Sequence, residues 1–510
     1  MTYLLGIDKG TSVIKAVVFN ADGEAVGVSQ RRVQVLQPKP GWHEEDPKAT
    51  WLLCTETIRE ALAKAGLTGP DIAAIGIAGH MGGAWLIDAE GAPVRNAICW
   101  PDDRAQADQL AMGKAGLLTE AFAISGNGLM PGITAMLLGW LAAHEPETVT
   151  RTRAVLCAKD FLRFRLTGEI ATDPSDVSFV PGDIDARTHS PRVMELCGAS
   201  AWMDRLPKIL PSGAIAGTIT AEAATETGLR AGTPVVTGLG DACANALGVG
   251  AIRPGAALTV LGTSCLNSQV LAAADRAPAG LGFLFSMPLD RYLRILPNTS
   301  GTIAFDWFLE RFGAPLTADG SPDFAALEQK AAGIARGAGG VTFIPYVNGS
   351  GVLAPFYDTL ARGSFFGVGS HTSYDHLLRA VYEALCFATR DCFAAMSTKP
   401  QSLILTGGGA KSAFWSQLFA DICGLPIEIV ATEESGALGV AQLAGVAVGL
   451  WPDLETAAAR TTRVAACYHP DPNAAADYDG WFDLYRQTRD VYRGYSAARA
   501  DLRPATEVAA

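Results

Sequence analysis

Short apolar runs in the first ninety residues alternate with polar turns, and their order predicts three strands, a helix and a fourth strand. Each run is bounded by glycine or aspartate, as buried strands usually are. The predicted strands cover residues 3–7, 13–19, 25–35 and 72–77. Asp46 and Pro47 provide an N-cap and a first-turn proline, and apolar positions three or four apart follow as far as Leu62. A helix is therefore predicted between the third and fourth strands.

The second half of the chain opens with the same succession of elements. Strands are predicted at residues 257–261, 266–271 and 292–296, and a helix at 302–312. Each half therefore begins with a strand, a turn containing Gly-Thr and another strand, in the first case Gly10-Thr11 and in the second Gly262-Thr263. This repetition favours an internal duplication.

Strands and helices go on alternating toward the C-terminus. Thr372 and Asp375 have the spacing of a capping box, which predicts a helix over residues 372–395. The remaining elements are a strand at 403–405, a helix at 412–422, a strand at 427–430 and helices at 436–448 and 474–498. Such alternation is typical of the α/β class.

Composition narrows the classes of function. The formal net charge of −12 disfavours nucleic acid and anionic membranes as partners. We find neither a secretory signal nor about 18 consecutive apolar residues that could form a membrane span. The ten cysteines are irregularly spaced and include no Cys-x-x-Cys pair, which favours buried free thiols over a zinc or disulfide framework. We therefore expect a cytoplasmic protein.

Two turns carry groups that suit phosphate oxygens. Asp8 ends a predicted buried strand and is followed by glycine and the hydroxyls of Thr11 and Ser12, and Gly262 and Thr263 form a similar turn. Glycine lets backbone N–H groups approach a phosphate closely, and a carboxylate can hold Mg²⁺. An Asx turn that joins two strands without any ligand is the alternative.

Asp241 follows a predicted strand and opens an alanine-rich helix. A carboxylate at this position can act as a general base toward a substrate hydroxyl. It can equally well be a helix N-cap, which is common for aspartate. Position in the sequence leaves both interpretations open.

Two further motifs have the composition of ligand sites. The Gly407–Gly409 run before Ser412 lacks Walker A spacing, but a strand, a glycine run and a helix can bind a nucleotide or simply form a tight crossover. His80-Met81 and the Trp100–Asp102 segment combine polar groups with an aromatic ring, which suits a polyhydroxyl ligand. A surface ion pair and turn would explain Asp102 without a ligand.

Taken in order, these motifs resemble the FGGY family of carbohydrate kinases. The most specific stretch spans residues 406–426 and is followed by the Glu433–Gly439 run. Further matches lie at residues 40–47, 160–162, 166–168, 362–363 and 366–367. The resemblance extends from Gly6 to about Gly449.

This resemblance implies two actin-like, ribonuclease-H-like lobes with a nucleotide cleft between them. The expected lobes are residues 1–250, with the sugar site and the base, and residues 251–510, with the nucleotide site and a C-terminal helix. The resemblance also implies ATP as donor, Mg²⁺ as cofactor and a possible homodimer. The implied site residues are Asp241 as base, Asp8 at the metal, Thr11, Ser12, Gly262, Thr263, Gly408 and Ser412 at the nucleotide, and His80, Met81, Asp102 and Asp241 at the sugar.

The expected substrate is a small sugar or polyol, and a ketopentose such as xylulose leads. Met81-Gly82 stands where glycerol kinases carry Arg-Glu, which argues against glycerol, while other runs are similar to erythritol kinases. Erythritol or another polyol is therefore the alternative substrate. Alternatives from other classes are a non-catalytic sugar sensor and an actin- or chaperone-like ATPase on the same fold.

Overall fold

The computed structural model describes residues 2–501, which divide into two compact units. The first unit contains residues 2–254, Leu271–Leu293 and Ala431–Arg463, and the second contains Gly255–Val270, Arg294–Val430 and residues 464–501. The predicted boundary between residues 250 and 251 stays a prediction, and its second domain extends past the described residues to 510. Two segments of the second half of the chain thus belong to the first unit.

The strands are short and lie mostly in two large sheets. They are β1 (Tyr3–Lys9), β2 (Val13–Phe19), β3 (Ala25–Arg32), β4 (Glu44–Glu45), β5 (Ile72–Gly79), β6 (Trp85–Ile87), β7 (Ala97–Ile98), β8 (Ala154–Leu156), β9 (Ala171–Thr172), β10 (Lys208–Ile209), β11 (Ile215–Thr218), β12 (Pro234–Val236), β13 (Leu239–Gly240), β14 (Ala256–Leu261), β15 (Cys265–Leu271), β16 (Phe283–Met287), β17 (Arg291–Asn298), β18 (Thr342–Ile344), β19 (Ser364–Phe366), β20 (Ser402–Thr406), β21 (Ile427–Val430) and β22 (Val464–Tyr468).

Helices connect and cover these strands. They are α1 (Pro47–Ala65), α2 (Gln106–Lys114), α3 (Leu117–Ser125), α4 (Thr134–His144), α5 (Pro146–Arg151), α6 (Ala158–Thr167), α7 (Pro174–Phe179), α8 (Pro191–Leu196), α9 (Ala221–Thr227), α10 (Asp241–Gly248), α11 (Thr302–Phe312), α12 (Phe324–Ala332), α13 (Tyr374–Ala395), α14 (Ala413–Cys423), α15 (Ser435–Ala447), α16 (Leu454–Thr461) and α17 (Pro472–Asp501).

The two large sheets repeat one topology. In the first, the order is β3-β2-β1-β5-β12-β11, with β1 antiparallel to β2 and parallel to β5. In the second, six strands follow the order β17-β15-β14-β20-β21-β22, with β14 antiparallel to β15 and parallel to β20. Each sheet ends in an antiparallel edge strand, β11 or β22. This repetition agrees with the internal duplication inferred from the sequence.

The helices predicted from local signals are all present and start within two residues of the predicted positions, whereas α2–α9, α12 and α16 are not predicted from the sequence. Asp46 caps α1 by accepting a 2.8 Å hydrogen bond from the Lys48 N–H, and Pro47 is the first helical residue. The capping-box prediction for α13 is shifted by one residue: Ser373 is the N-cap, and His376 takes the place expected for Asp375. The helix therefore starts at Tyr374. The Ser373 hydroxyl accepts from the backbone N–H of His376, and the His376 ring accepts from the backbone N–H of Ser373.

Helix α15 returns to the first unit late in the chain and packs on its sheet through glycines. A Cβ atom on Gly6 would lie 2.1 Å from the carbonyl oxygen of Ala437, and one on Gly76 would lie 2.1 Å from that of Val440. Without side chains at these two positions, the helix backbone can lie directly on β1 and β5. The start of α15 is thereby brought to the end of β1.

All ten cysteines are unpaired, as predicted, and only Cys467 is exposed.

Among residues 2–501, no helix is both long and apolar enough to cross a membrane.

Candidate active site

Asp8 lies near the carboxyl end of β1, and only part of its side chain is exposed. Burial raises its pKa to about 6, Lys15 opposes this shift, and Glu434 adds to it. A carboxyl group with a raised pKa has lost much of its hydration without gaining full compensation from a partner. It is therefore suited to binding a cation.

The start of α15 surrounds this carboxylate. Gly436 lies so close that a Cβ atom there would be 2.4 Å from Asp8 Oδ2. On either side, Glu434 pairs with the Lys15 ammonium at 2.8 Å, and the Ser435 hydroxyl donates to Asn245 Oδ1 at 2.7 Å. Helix α15 thus connects β1, β2 and α10 at one place.

Asp241 is the first residue of α10, with Gly240 as the N-cap. Its Oδ1 accepts a 2.7 Å hydrogen bond from the Ala242 N–H. Burial and, to a smaller extent, the negative charge of Asp8 together raise the pKa of Asp241 to about 7. The N-cap interpretation is therefore one residue out of place, while a carboxylate with a pKa near neutrality suits a general base.

The turn between β1 and β2 contains Thr11 and Ser12, whose phosphate contacts stay a prediction. Ser12 is exposed and Thr11 partly so. The Thr11 hydroxyl oxygen accepts a 2.8 Å hydrogen bond from the indole N–H of Trp100. The predicted phosphate turn and the predicted sugar motif are thus joined by one direct hydrogen bond.

Met81 and Gly82 lie in this same region of the first unit. A Cβ atom on Gly240 would be 2.6 Å from Met81 Sδ, so the methionine packs on the residue that precedes Asp241. Gly82 has a positive φ of 75° and lies against Phe179, whose Cε1 would be 2.9 Å from an added Cβ. The ring of Phe179 therefore fills the space that a side chain at position 82 would need.

Asp102 is buried and already bound within the protein. Its oxygens accept hydrogen bonds from the Arg104 side chain at 2.7 and 2.9 Å and from the His43 N–H at 2.7 Å. Arg104 also pairs with Glu44. A sugar hydroxyl at Asp102 would have to share an acceptor oxygen with these donors, and the predicted sugar contact stays a prediction.

His80 is buried as well, at 1% exposure. Its Nε2 lies 3.7 Å from Glu45 Oε1, while Glu45 pairs with the buried Lys9 ammonium at 3.0 Å. Burial and the charge of Lys9 lower the pKa of His80, and Glu45 opposes this shift. The ring thus belongs to a buried cluster with Glu45 and with Lys9 at the end of β1, and its predicted sugar contact also stays a prediction.

In the second unit, Gly262 and Thr263 form the turn between β14 and β15. The Gly262 carbonyl accepts a 2.7 Å hydrogen bond from the N–H of Thr302, the first residue of α11. A Cβ atom on Gly301 would lie 2.2 Å from the same carbonyl oxygen, so glycine is needed at that close approach. The hydroxyl-bearing Thr263 is exposed.

The glycine run after β20 lies beside β14 in this unit. Gly407 has a φ of 90°, and a Cβ atom on it would be 2.4 Å from the Leu261 carbonyl oxygen. Gly408 is exposed and has open space around its Cα, and Ser412 caps α14 by accepting from the Trp415 N–H at 2.9 Å. Nucleotide contacts at Gly408 and Ser412 stay predictions.

The donor set at Asp8 fits a divalent cation. Asp8 offers a carboxylate, the kind of ligand that hard cations such as Mg²⁺ prefer. The charge of Asp8 raises the pKa of Asp241, so the two groups repel each other when both are ionised. A bound cation would relieve this repulsion.

Phe179 is not predicted from the sequence, because its neighbour Gly82 lies far away along the chain. Glu434 and Gly436 stand in the Glu433–Gly439 run that resembles the family, so the sequence carries a signal for their place in the site.

Comparisons with known proteins show the family of the chain. Residues 3–248 match the N-terminal domain of the FGGY family of carbohydrate kinases, and residues 257–448 match its C-terminal domain.

Individual relatives are similar over most of their length. An erythritol kinase of Brucella abortus is 31% identical over 95% of both chains, and a xylulose kinase of Escherichia coli is 35% identical over 87% of this chain and 90% of its own. A ligand-bound xylulose kinase from Lactobacillus acidophilus superposes with a TM-score of 0.89 and 26% identity, covering 98% of this chain and all of that one.

Proposed function

Because the chain belongs to the FGGY family of carbohydrate kinases, we propose that it phosphorylates a ketopentose such as xylulose, with Asp241 as the general base. Phosphorylation of a sugar or polyol with ATP as donor follows from family membership. The choice of a ketopentose rests on relatives named xylulose kinase at 30–35% identity. The single observation that supports Asp241 is its partly buried carboxylate, whose pKa is raised to about 7 beside Asp8.

In this proposal, Asp241 orients the attacking hydroxyl and accepts its proton. A base whose pKa is near the working pH is ionised often enough to accept a proton and basic enough to hold it. Phosphoryl transfer passes through a loose transition state, so positioning and charge stabilisation outweigh the strength of the base. Its place at the start of α10 fixes the carboxylate for this task.

Other residues bind and orient the donor. Thr11, Ser12, Gly262 and Thr263 would offer hydroxyl and N–H donors to phosphate oxygens. Gly408 and Ser412 are proposed to lie near the ribose and base. Asp8 would hold Mg²⁺, which supplies positive charge to the phosphate oxygens.

Asp241→Asn tests the base directly. We expect turnover to fall by roughly 10²–10⁴-fold while sugar binding, measured by calorimetry, is retained. Asp453→Asn is the matched control, because Asp453 also lies at a helix start in the first unit, where it accepts from the Thr456 N–H. Near wild-type turnover in Asp241→Asn would refute the assignment.

The substrate is tested with an ADP-release assay. Mg-ATP is combined in turn with D- and L-xylulose, ribulose, erythritol, ribitol, xylitol and glycerol. Preferred turnover of a xylulose supports the ketopentose proposal. Preference for erythritol supports the second candidate, which the 31% identical erythritol kinase favours.

Mg²⁺ binding is tested without turnover. We expect Mg²⁺ to raise the melting temperature of the wild type more at pH 7.5 than at pH 5, because protonation of Asp8 at low pH competes with the cation. Asp8→Asn should abolish this difference.

A homodimer and a cytoplasmic location are also proposed. Light scattering after gel filtration tests the homodimer.

A further inference from the structure

A buried ionic cluster lies beneath the segment that leads into Asp241. We define the α6–α7 cluster as Lys159, Arg163, Asp160, Asp173 and Asp176, whose side chains are all fully buried. The Lys159 ammonium lies 2.7 Å from Asp160, 3.0 Å from Asp173 and 2.8 Å from Asp176. So many ionisable groups are costly to bury, and the functions described above do not require them.

The charges of the cluster balance when one carboxyl group is protonated. Burial raises the pKa of Asp176, and the charges of Asp160 and Asp173 add to this effect against the attraction of Lys159. With Asp176 neutral, two cations face two carboxylates. A metal ion is not needed to explain the grouping of Cys157, Asp160 and Asp176, because the ammonium of Lys159 already occupies the cationic position among the carboxylates.

One hydroxyl connects the cluster to the candidate base. Ser175 Oγ donates to Asp173 at 2.7 Å and accepts a 2.8 Å hydrogen bond from the backbone N–H of Gly240, the residue before Asp241. Ser212 supplies a second hydroxyl to Asp173 at 2.7 Å. Since Ser175 and Gly240 are both buried, water cannot replace this bond without cost.

The same segment is held at two more points. Arg163 donates to the Thr237 carbonyl at 2.7 Å, and the Gly238 N–H donates to the Ser212 carbonyl at 3.0 Å. Gly238 has a φ of 92°, and a Cβ atom there would lie 2.2 Å from the Ile77 carbonyl oxygen. Residues 237–240 are therefore fixed along their length by α6, α7 and the loop at Ser212.

We propose that Ser175, held by the α6–α7 cluster, is a positioning residue that fixes the backbone before Asp241 for proton transfer. The proposal rests on the function proposed for Asp241. The hydroxyl does not touch a reacting atom; it acts by setting where α10 begins. Misplacing a catalytic group by even about 1 Å can cost about 100-fold in rate, so a single bond at this point has a large effect.

Ser178→Ala provides a matched control on the same short helix. The Ser178 hydroxyl is also buried, and it accepts a 2.9 Å hydrogen bond from the Ser286 N–H. Each substitution thus removes one buried hydroxyl that accepts from a backbone N–H, but only Ser175 is linked to Gly240. The two variants should lose similar amounts of thermal stability.

The experiment compares both variants with the wild type by steady-state kinetics and thermal unfolding. We expect Ser175→Ala to lower kcat about 10- to 100-fold with KM values for sugar and ATP near those of the wild type. Ser178→Ala should keep its kcat, and Ser175→Thr, which retains the hydroxyl, should recover most of the loss.

Several results would overturn the proposal. They are a wild-type kcat in Ser175→Ala, an equal loss of kcat in Ser178→Ala, or a Ser175→Thr variant that has the wild-type melting temperature and still lacks activity. Asp241→Asn separates the two levels of argument. If Asp241→Asn keeps its turnover, the proposed base is wrong, whereas if it is inactive and Ser175→Ala is normal, only the positioning role fails.

Discussion

The indole N–H of Trp100 donates a 2.8 Å hydrogen bond to the hydroxyl oxygen of Thr11, and this bond joins two loops 89 residues apart in the chain. Trp100 is 37% exposed, so the bond forms at the surface of the site. The contact has consequences for both substrates, because Thr11 lies in the turn proposed to contact phosphate.

Breaking this bond should weaken the binding of sugar and of Mg-ATP together. We predict that Trp100→Phe and Thr11→Val each raise the KM values for sugar and Mg-ATP, and that the double variant is no worse than the poorer single variant. A double-mutant cycle on kcat/KM should give a coupling of about 1 kcal/mol, which is about fivefold.

Trp51→Phe serves as the control for loss of an indole hydrogen bond. Trp51 donates to Glu226 at 2.6 Å, away from the loops at Thr11 and Trp100. Its removal should leave both KM values unchanged. Strictly additive effects of the Trp100 and Thr11 substitutions would show that the two side chains act independently.

The contribution of Asp241 to the free energy of unfolding should fall as the pH rises from acidic to neutral values. Its pKa is about 7 in the folded protein against 3.8 for an unperturbed aspartate, so between these values the folded chain binds more protons. The contribution to stability is present below about pH 4 and is lost as pH rises through 7. Three pKa units correspond to about 4 kcal/mol, which partial exposure reduces to about 1–2 kcal/mol.

Asp241→Asn should therefore unfold at higher urea concentration than the wild type at pH 8, and the difference should vanish near pH 4. Asp453→Asn should show the opposite sign at pH 8. Hydrogen bonds from Thr456 lower the pKa of Asp453, so its ionised form stabilises the folded state. Equal urea midpoints for Asp241→Asn and the wild type at pH 8 would argue against a raised pKa at Asp241.

Gly436 should be intolerant of a side chain for a functional reason. A Cβ atom there would lie 2.4 Å from Asp8 Oδ2, and the carboxylate is the group that can move. We predict that Gly436→Ala displaces Asp8 and lowers kcat/KM for Mg-ATP by about 10- to 100-fold, while calorimetry shows unchanged sugar binding.

Gly445→Ala is the control on the same helix. Its Cβ would meet the Trp451 ring at 2.2 Å, so it disturbs packing without touching Asp8. It should lose stability and retain its KM for Mg-ATP. The prediction for Gly436 is wrong if both variants show the same kinetic profile.

Gly82 and Phe179 should be coupled in stability. Gly82→Ala places a side chain at positive φ and 2.9 Å from Phe179 Cε1, which should cost about 1–3 kcal/mol. In a Phe179→Ala background only the backbone strain remains, at about 1 kcal/mol. Urea denaturation of the four proteins measures the difference, and equal costs in both backgrounds would contradict it.

The sequence predicted the fold class, family and kinase activity correctly, and the comparisons confirm all three. The central strands of both sheets follow local patterns of apolar runs and glycine turns, so residues 3–7 and 257–261 are predicted within β1 and β14. The edge strands β11, β16 and β22 are not predicted. The α1 start was correct because its cap lies entirely within Asp46–Lys48. The cap of α13 was displaced because a histidine side chain replaced the expected aspartate as a partner.

The supports of the site could not be predicted in the same way. The bond between Ser175 and Gly240 joins residues 65 apart, and neither residue type indicates a partner. Likewise, Asp102 and Arg104 look like a surface pair in sequence but are fully buried side chains. Roles that depend on tertiary packing become visible only when distant segments are brought together.

The return of α15 to the first unit also has a consequence for biosynthesis. The Lys15–Glu434 pair and the approach of Gly436 to Asp8 form only after the ribosome has made more than 400 further residues. At a synthesis rate of about 5–20 residues per second, the sheet around β1 stays uncovered by α15 for roughly 20 to 90 seconds. Residues Gly6 and Gly76 expose bare backbone during this interval, so the nascent N-terminal half should be a client of chaperones until synthesis passes Arg463.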